Sequence, residues 1–168
     1  EYRSNHRLSE EEYERWFTDS LEVIQHVLGK DPLQIHIKER KRKESRQDQY
    51  QKTDNQQQYI EVGEGGLKFL VNLTDFLDTG LFIDHRITRG MVAKQSAGKR
   101  VLNLFCYTGS FSVYAAQGGA SEVVSVDLSN TYLDWAQKNM QLNNFTDQRY
   151  SYVKADVLQW LPKVPNEY

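Results

Sequence analysis

The stretch GKRVLNLFCYTGSFSVYAAQGGASEVVSVDLSN, residues 98–130, decides the fold. Residues 101–105 form an apolar strand that runs into the turn Cys106-Tyr107-Thr108-Gly109-Ser110. Residues 111–117 read as a helix that stops at Gly118-Gly119, and residues 123–126 read as a second apolar strand ending on Asp127. The spacing predicts a β-α-β unit with a glycine at its turn and a carboxylate at the tip of its second strand. Such a unit suits a nucleoside. Helix N–H groups near Gly109 and Ser110 are left unpaired, and glycine lets a ligand come close to the backbone. Asp127 stands where it can accept hydrogen bonds from two ribose hydroxyls.

The same geometry serves dinucleotides and S-adenosylmethionine. A dinucleotide fingerprint has three glycines, G-x-G-x-x-G, to hold a pyrophosphate. Tyr107 and Ser110 stand where extra glycines would, which favours S-adenosylmethionine over NAD. A plainer reading stays open, because a lone glycine and aspartate occur in many β-α-β units.

Working outward, the 168 residues fit one domain, or one domain with a small appendage. Hydrophobic residues make up 39% and charged residues 26%, as in ordinary globular proteins, and a net charge of −2 requires any nucleic-acid contact to come from a local patch. The single cysteine, Cys106, excludes an internal disulfide and fits a reducing cytoplasm. No apolar run approaches a membrane span, and no Cys/His cluster suggests a metal.

Residues 8–29 read as an amphipathic helix. Ser9 and Glu12 form a capping box, Gly29 is the stop, and Tyr13, Trp16, Phe17, Leu21, Ile24 and Leu28 share one face for packing. Residues 33–41 alternate as a strand, with His36 on its polar side. Six of the nine residues at 38–46 are basic, namely Lys38, Arg40, Lys41, Arg42, Lys43 and Arg46, and a Gln-rich run follows. This is a solvated loop by composition. It is also a candidate RNA-phosphate arm, since clustered Lys and Arg release counterions on binding. Residues 58–63 and 67–73 predict a hairpin around Glu64-Gly65-Gly66, and with 33–41 a small antiparallel sheet.

Asp78-Thr79-Gly80 reads as a turn, and Asp84 as the N-cap of a helix to about residue 97. Arg86 in the first turn is unfavourable to the helix dipole, so it reads either as a partner for a ligand carboxylate or as a salt bridge to Asp84 or Asp78. Residues 130–143 predict a helix with Leu133, Ala136 and Met140 on one face, and residues 150–155 a third strand. Asp156 follows, placed either to accept from an adenine amino group or simply to cap the short helix after it.

Three blocks stand in order: GLFIDHR (80–86), VLNLFCYTGSFSVYAAQGGA (101–120) and VVSVDLSNTYLDWAQKNMQLN (123–143). Together they closely resemble the bacterial bifunctional 23S ribosomal RNA methyltransferases K/L, in the C-terminal half that methylates guanine N7. They resemble more distantly the RNA cytosine-C5 methyltransferases with an F-x-D-x-R block and a Y-T-G turn. The resemblance covers residues 60–165.

It implies an α/β fold of class I, Rossmann-like, dependent on S-adenosylmethionine. The helix would occupy residues 1–30, a small β subdomain 31–79 and the methyltransferase domain, with the N-terminal part of its sheet, 80–168. Carried over by position, Phe105, Tyr107, Thr108, Gly109 and Ser110 line the methionine end of the cofactor. Asp127 holds the ribose, with Leu128 and Ser129 beside it. Asp156 reads the adenine amino group with Val157 against the ring, and Asp84 and Arg86 close the site from the other side. Asn103 stands where the common turn has an acidic residue, and its role is open. The family's Asp-Pro-Pro segment, which faces the target base, is absent; the prolines here are Pro32, Pro162 and Pro165. The resemblance therefore implies a fragment with the cofactor half of the site, inactive alone, whose catalytic residues lie beyond Tyr168. The parent's partner would be 23S ribosomal RNA in the cytoplasm, with no metal and no membrane. Cytosine-C5 methylation and a non-catalytic cofactor- or RNA-binding module are the alternatives. Cys106 is discounted as a covalent nucleophile, because it sits in the cofactor turn.

Overall fold

The structure, a computed structural model, describes residues 8–31, 34–38 and 58–164, and the chain divides into two compact units, Glu1–Glu39 and Arg40–Tyr168.

In the first unit, α1 (Glu10–Leu28) begins at Ser9. The Ser9 hydroxyl accepts from the Glu12 N–H at 3.3 Å, and the Glu12 carboxylate accepts from the Ser9 N–H at 2.8 Å. The capping box is thus complete, and these bonds hold the Glu12 carboxyl below its usual pKa. Gly29 ends the helix in the left-handed conformation, at φ 59°. Tyr13 stacks on Phe17 along the expected stripe. The strand expected over 33–41 does not form where it is described, since residues 35–38 carry no regular structure. Alternation in a short segment cannot make a strand without a partner edge to pair with. Of the six basic residues, Lys38 is described and Arg40, Lys41, Arg42, Lys43 and Arg46 lie outside the described residues.

The second unit opens with a hairpin, β1 (Ile60–Glu64) and β2 (Leu67–Val71), paired from Ile60↔Val71 to Glu64↔Leu67. Gly65 and Gly66 supply the positive φ its turn requires, 62° and 80°. Among the described residues this sheet has two strands, not the expected three. Then come α2 (Arg86–Gln95), β3 (Arg100–Leu104), α3 (Ser110–Gln117), β4 (Glu122–Asp127), α4 (Asn130–Leu142), β5 (Tyr150–Lys154) and α5 (Val157–Trp160). Strands β3, β4 and β5 form a parallel sheet in that order, with α3 and α4 as crossovers. β4 is buried on both faces. Val123 joins Val113, Ala116 and Met140 beneath the helices, while Val124 and Val126 join Val157 on the opposite side.

The helix expected from Asp84 starts later. Ile83–His85 form a 3-10 turn, His85 occupies the N-cap position of α2, and no side chain caps it. Asp84 belongs to the preceding turn and approaches His85 at 4.0 Å.

Two contacts seat the hairpin. Its turn is held by a buried ion pair: Arg89 of α2 donates Nε and Nη2 to Glu64 at 2.8–2.9 Å, and Tyr114 of α3 donates its hydroxyl to the same carboxylate at 3.0 Å. Its free edge is held by α4. Trp135 donates Nε1 to the Leu70 carbonyl at 3.0 Å. The Asn139 amide accepts from the Leu70 N–H at 2.8 Å, and Asn143 both accepts from and donates to the Lys68 backbone, at 2.9 and 2.7 Å. Three side chains one turn apart therefore stand in for a neighbouring strand. Asn139 is fully buried and also donates to the Thr108 carbonyl at 2.9 Å. Removing it strands one N–H and one carbonyl. Asn139→Ala is expected to lower unfolding stability in urea by about 2–4 kcal/mol, against about 1 for Asn143→Ala, whose partners water can reach. Equal losses would show that water also reaches the Asn139 partners.

Candidate functional site

The three parallel strands end side by side. β3 ends at Leu104 before Phe105, β4 at Asp127, and β5 at Lys154 before Ala155 and Asp156. Pairing continues past the strands: the Cys106 N–H donates to the Val126 carbonyl at 2.9 Å, and the Ala155 N–H to the Asp127 carbonyl at 3.0 Å. Open parallel sheets bind ligands in the crevice outside these carboxyl ends.

The turn after β3 has an alternating backbone, with positive φ at Phe105 (53°), Tyr107 (52°) and Gly109 (70°). Two of these residues are not glycine, and each costs about 1 kcal/mol or more in that conformation. The surroundings hold it in place. The Tyr107 N–H donates to Asp127 Oδ2 at 2.9 Å, Thr108 Oγ1 to the Gly80 carbonyl at 2.5 Å, and the Tyr107 hydroxyl to the Asp78 carbonyl at 3.3 Å. Gly109 admits no substituent, because a Cβ there would come within 2.6 Å of the Ala136 methyl. The sequence reads as a turn with one glycine, yet its backbone has three left-handed positions spaced two apart.

Asp127 ends β4 between the turn and α4. It is 7% exposed, and its two oxygens accept from the Tyr107 and Ser129 N–H groups at 2.9 Å each. A carboxylate has about four acceptor positions, so the carboxylate is fixed in direction with capacity left for two hydroxyls. Ser129 in turn caps α4 by accepting from Tyr132. Asp156 is exposed and caps α5 with one oxygen, accepting from the Leu158 N–H at 3.0 Å. Phe105 and Leu128 are exposed beside these groups, at 67% and 54%, whereas Val157 is packed against the sheet.

Asn103 donates Nδ2 to Ser112 Oγ at 2.8 Å, and Ser112 Oγ pairs with Ser125 Oγ at 2.7 Å. Its amide thus ties β3 to α3 and β4. Ser110 opens α3, where Phe111 meets His85 at 6.1 Å between ring centres. Phe82 lies against Tyr107 at 5.4 Å, so the segment before α2 crosses the turn and brings Asp84 with it. Arg86 lines an open depression with Gly65, Gly90 and Lys94.

Burial pushes the Cys106 thiol up to about 12, with the Asp127 carboxylate adding to the shift. The Tyr107 hydroxyl is raised by burial as well. Both are neutral at any physiological pH. Among the described residues no group of three His, Cys, Asp or Glu side chains could hold a metal, and no helix is long and apolar enough to cross a membrane.

Sequence reasoning missed Gly80, Ser112, Ser125 and Asn139 as supports of this crevice. Asn139 left a usable signal: it is a polar residue on the stripe that carries Ala136 and Met140.

Comparison with known proteins identifies the family. Residues 29–165 match the model of an S-adenosylmethionine-dependent methyltransferase family. The chain is 51% identical over 161 residues to a ribosomal RNA large subunit methyltransferase K from Neisseria meningitidis, covering 96% of this chain and 45% of that protein. It is 49% identical over 150 residues to a methyltransferase K/L from Pseudomonas paraeruginosa, covering 89% of this chain and 20% of that one. The chain thus spans less than half the length of these relatives. In three dimensions it resembles an S-adenosylmethionine-dependent methyltransferase from Streptococcus mutans, with TM-score 0.61, 34% identity, and 66% and 30% of the two chains covered. A methyltransferase complexed with S-adenosylhomocysteine is as similar, with TM-score 0.61, 34% identity, and 66% and 29% covered. The parallel sheet, its strand-end carboxylate and the family match agree: the chain belongs to the S-adenosylmethionine-dependent methyltransferases, with a Rossmann-like class I fold.

Proposed function

We propose that this chain holds the cofactor for methylation of guanine N7 in 23S ribosomal RNA. The observation that carries the reading is the Asp127 carboxylate, fixed by two backbone N–H groups between the strained turn and α4. The RNA substrate is supported by the names of the relatives from Neisseria and Pseudomonas.

S-adenosylmethionine supplies a methyl group on a positively charged sulfur. Guanine N7 brings its own lone pair and no proton, so no side chain has to act as a base. The N–C bond forms as the C–S bond breaks, leaving a thioether and a cationic purine. The protein's part is alignment and exclusion of other nucleophiles. Asp127, with two acceptor positions left over, would accept the ribose hydroxyls of the bound cofactor. Phe105, Tyr107, Thr108, Gly109 and Ser110 present the backbone of the turn to the methionine end. Asp156 accepts from the adenine amino group with the oxygen that its cap leaves over. Cys106 remains a thiol, and so does not compete with N7 for the methyl group. That same protonation disfavours cytosine-C5 chemistry at this cysteine, which needs a thiolate.

Calorimetric titration with S-adenosylhomocysteine is expected to give one site, and Asp127→Ala to weaken it by about 100-fold or more, since two hydrogen bonds to a charged group are lost. Unchanged affinity in a folded variant would remove Asp127 from the site. Nucleoside analysis of 23S RNA methylated by the full-length protein should give 7-methylguanosine; 5-methylcytidine would overturn the base assignment.

The thiol also makes stability fall with alkali. The unfolded chain releases the Cys106 proton near pH 9, whereas the folded chain keeps it to about pH 12. Stability from this group is therefore complete below pH 9 and lost as pH rises through that window. Between pH 9 and 10.5 the wild type should lose up to about 1.4 kcal/mol per pH unit more than Cys106→Ala. Parallel stability curves would show that the thiol is not protected.

A further inference from the structure

We propose that the face of α2 bearing Arg86, Gly90 and Lys94 is a second contact for RNA, taking the phosphate backbone rather than the target base. The inference rests on the RNA reading above and concerns a surface that shares Arg86 with the residues expected to close the crevice and extends away from it through Gly90 and Lys94. These three residues are one turn apart and form a stripe about 12 Å long. They edge an open depression of about 470 Å³ whose other side is Gly65 of the hairpin turn with Tyr114 and Gln117 of α3.

The charged residues that line it are both cations, Arg86 and Lys94. Arg86 and Lys94 are exposed, and neither forms an ion pair among the described residues. The Glu64 carboxylate, next to Gly65 in the hairpin, is buried and paired with Arg89. Tyr114 adds no charge, since its hydroxyl is committed to Glu64 and raised by burial. Gln117 offers an amide. Two cations and an amide around an open floor suit a run of phosphodiesters.

The glycines separate function from packing. A Cβ at Gly65 would strike the Tyr114 hydroxyl at 2.6 Å, and one at Gly118 would collide with the Ala93 carbonyl, so the fold itself requires both. Gly90 lies in the middle of α2, and a Cβ there meets nothing within 4 Å. Glycine weakens a helix interior relative to alanine, and among the described residues no close contact requires it there. A bare backbone at this point leaves the floor open for a close approach from outside. Arg86 agrees with this: a cation at the first residue of a helix opposes the dipole, and an incoming phosphate offsets that.

The test uses the full-length protein, a labelled single-stranded RNA and a labelled RNA duplex, titrated over a range of salt. Gly90→Ala should raise the urea midpoint and yet weaken RNA binding, and Gly90→Glu should weaken it by at least about tenfold. Arg86→Gln with Lys94→Gln should lower the slope of log affinity against log salt by about 1.4 for the single strand, the value for two lost phosphate contacts. S-adenosylhomocysteine affinity should be unchanged in Gly90→Ala and Gly90→Glu. Variants that bind RNA as tightly as the wild type, with the same salt slope, overturn this surface and leave the crevice standing. A wild type that binds S-adenosylhomocysteine but neither RNA overturns both the RNA reading and this surface. A drop in binding of the variants to heparin, with RNA binding intact, overturns the choice of RNA.

Discussion

A β-strand at the edge of a hairpin has to satisfy the N–H and carbonyl groups that its only partner leaves over. In this protein β2 meets that demand with side chains. Trp135, Asn139 and Asn143 repeat every helical turn, and the outward-facing backbone groups of β2 repeat every second residue, at Lys68 and Leu70. The two periods match closely enough for a helix to complete a sheet edge. The rest of the second unit depends on this match. It fixes α4, whose first turn carries the Ser129 N–H that aims Asp127, and whose Ala136 sits against Gly109. Asn139 joins edge and turn directly, through Leu70 and Thr108.

The other end of the hairpin is tied down differently. Arg89 is 1% exposed and makes a forked contact with Glu64, with its guanidinium 5.8–5.9 Å from the ring centres of Tyr114 and Phe111. A buried pair of this kind is a poor source of net stability but a strict one of geometry, since losing either partner leaves a charge unpaired. With both ends held, the segment that follows β2 has a defined path. It crosses the strained turn, where Gly80 accepts from Thr108 and Phe82 meets Tyr107. Gly80 has no room for a side chain because Trp135 fills that space. Strain at Phe105 and Tyr107 is thus stored beneath a clamp that reaches back to the hairpin.

Much of this was legible from local pattern. The capping box of α1, the glycine stop at Gly29, the hairpin about Gly65-Gly66 and the β3-α3-β4 unit ending on Asp127 all follow from spacings within a few residues of each other. What escaped was set by partners distant in the chain. Glu64 and Arg89 are ordinary surface residue types until the fold brings them together. Left-handed backbone at Phe105 and Tyr107 leaves no mark in residue type, because the residues that usually announce it are absent. Asp84 has the right chemistry for a cap but sits one residue before the N-cap position, in a 3-10 turn. Residues 33–41 alternate as a strand should, yet 35–38 have no edge to pair with in the described structure.

The ladder on β2 also sets an order of events during synthesis. Its hydrogen bonds join residues 65 to 75 positions apart. A ribosome adding about 5–20 residues per second delivers α4 roughly 3–15 s after the hairpin has emerged. The β3-α3-β4 unit can form from nearer contacts in that interval, because short loops close at lower entropic cost. The hairpin meanwhile carries an open edge with Leu67, Phe69 and Val71 on its apolar face, the type of surface that pairs with other nascent chains. Lys68 is the second residue of that strand and pairs with Glu61 across the hairpin. It places a charge on the outer face during the seconds when no helix yet covers the edge.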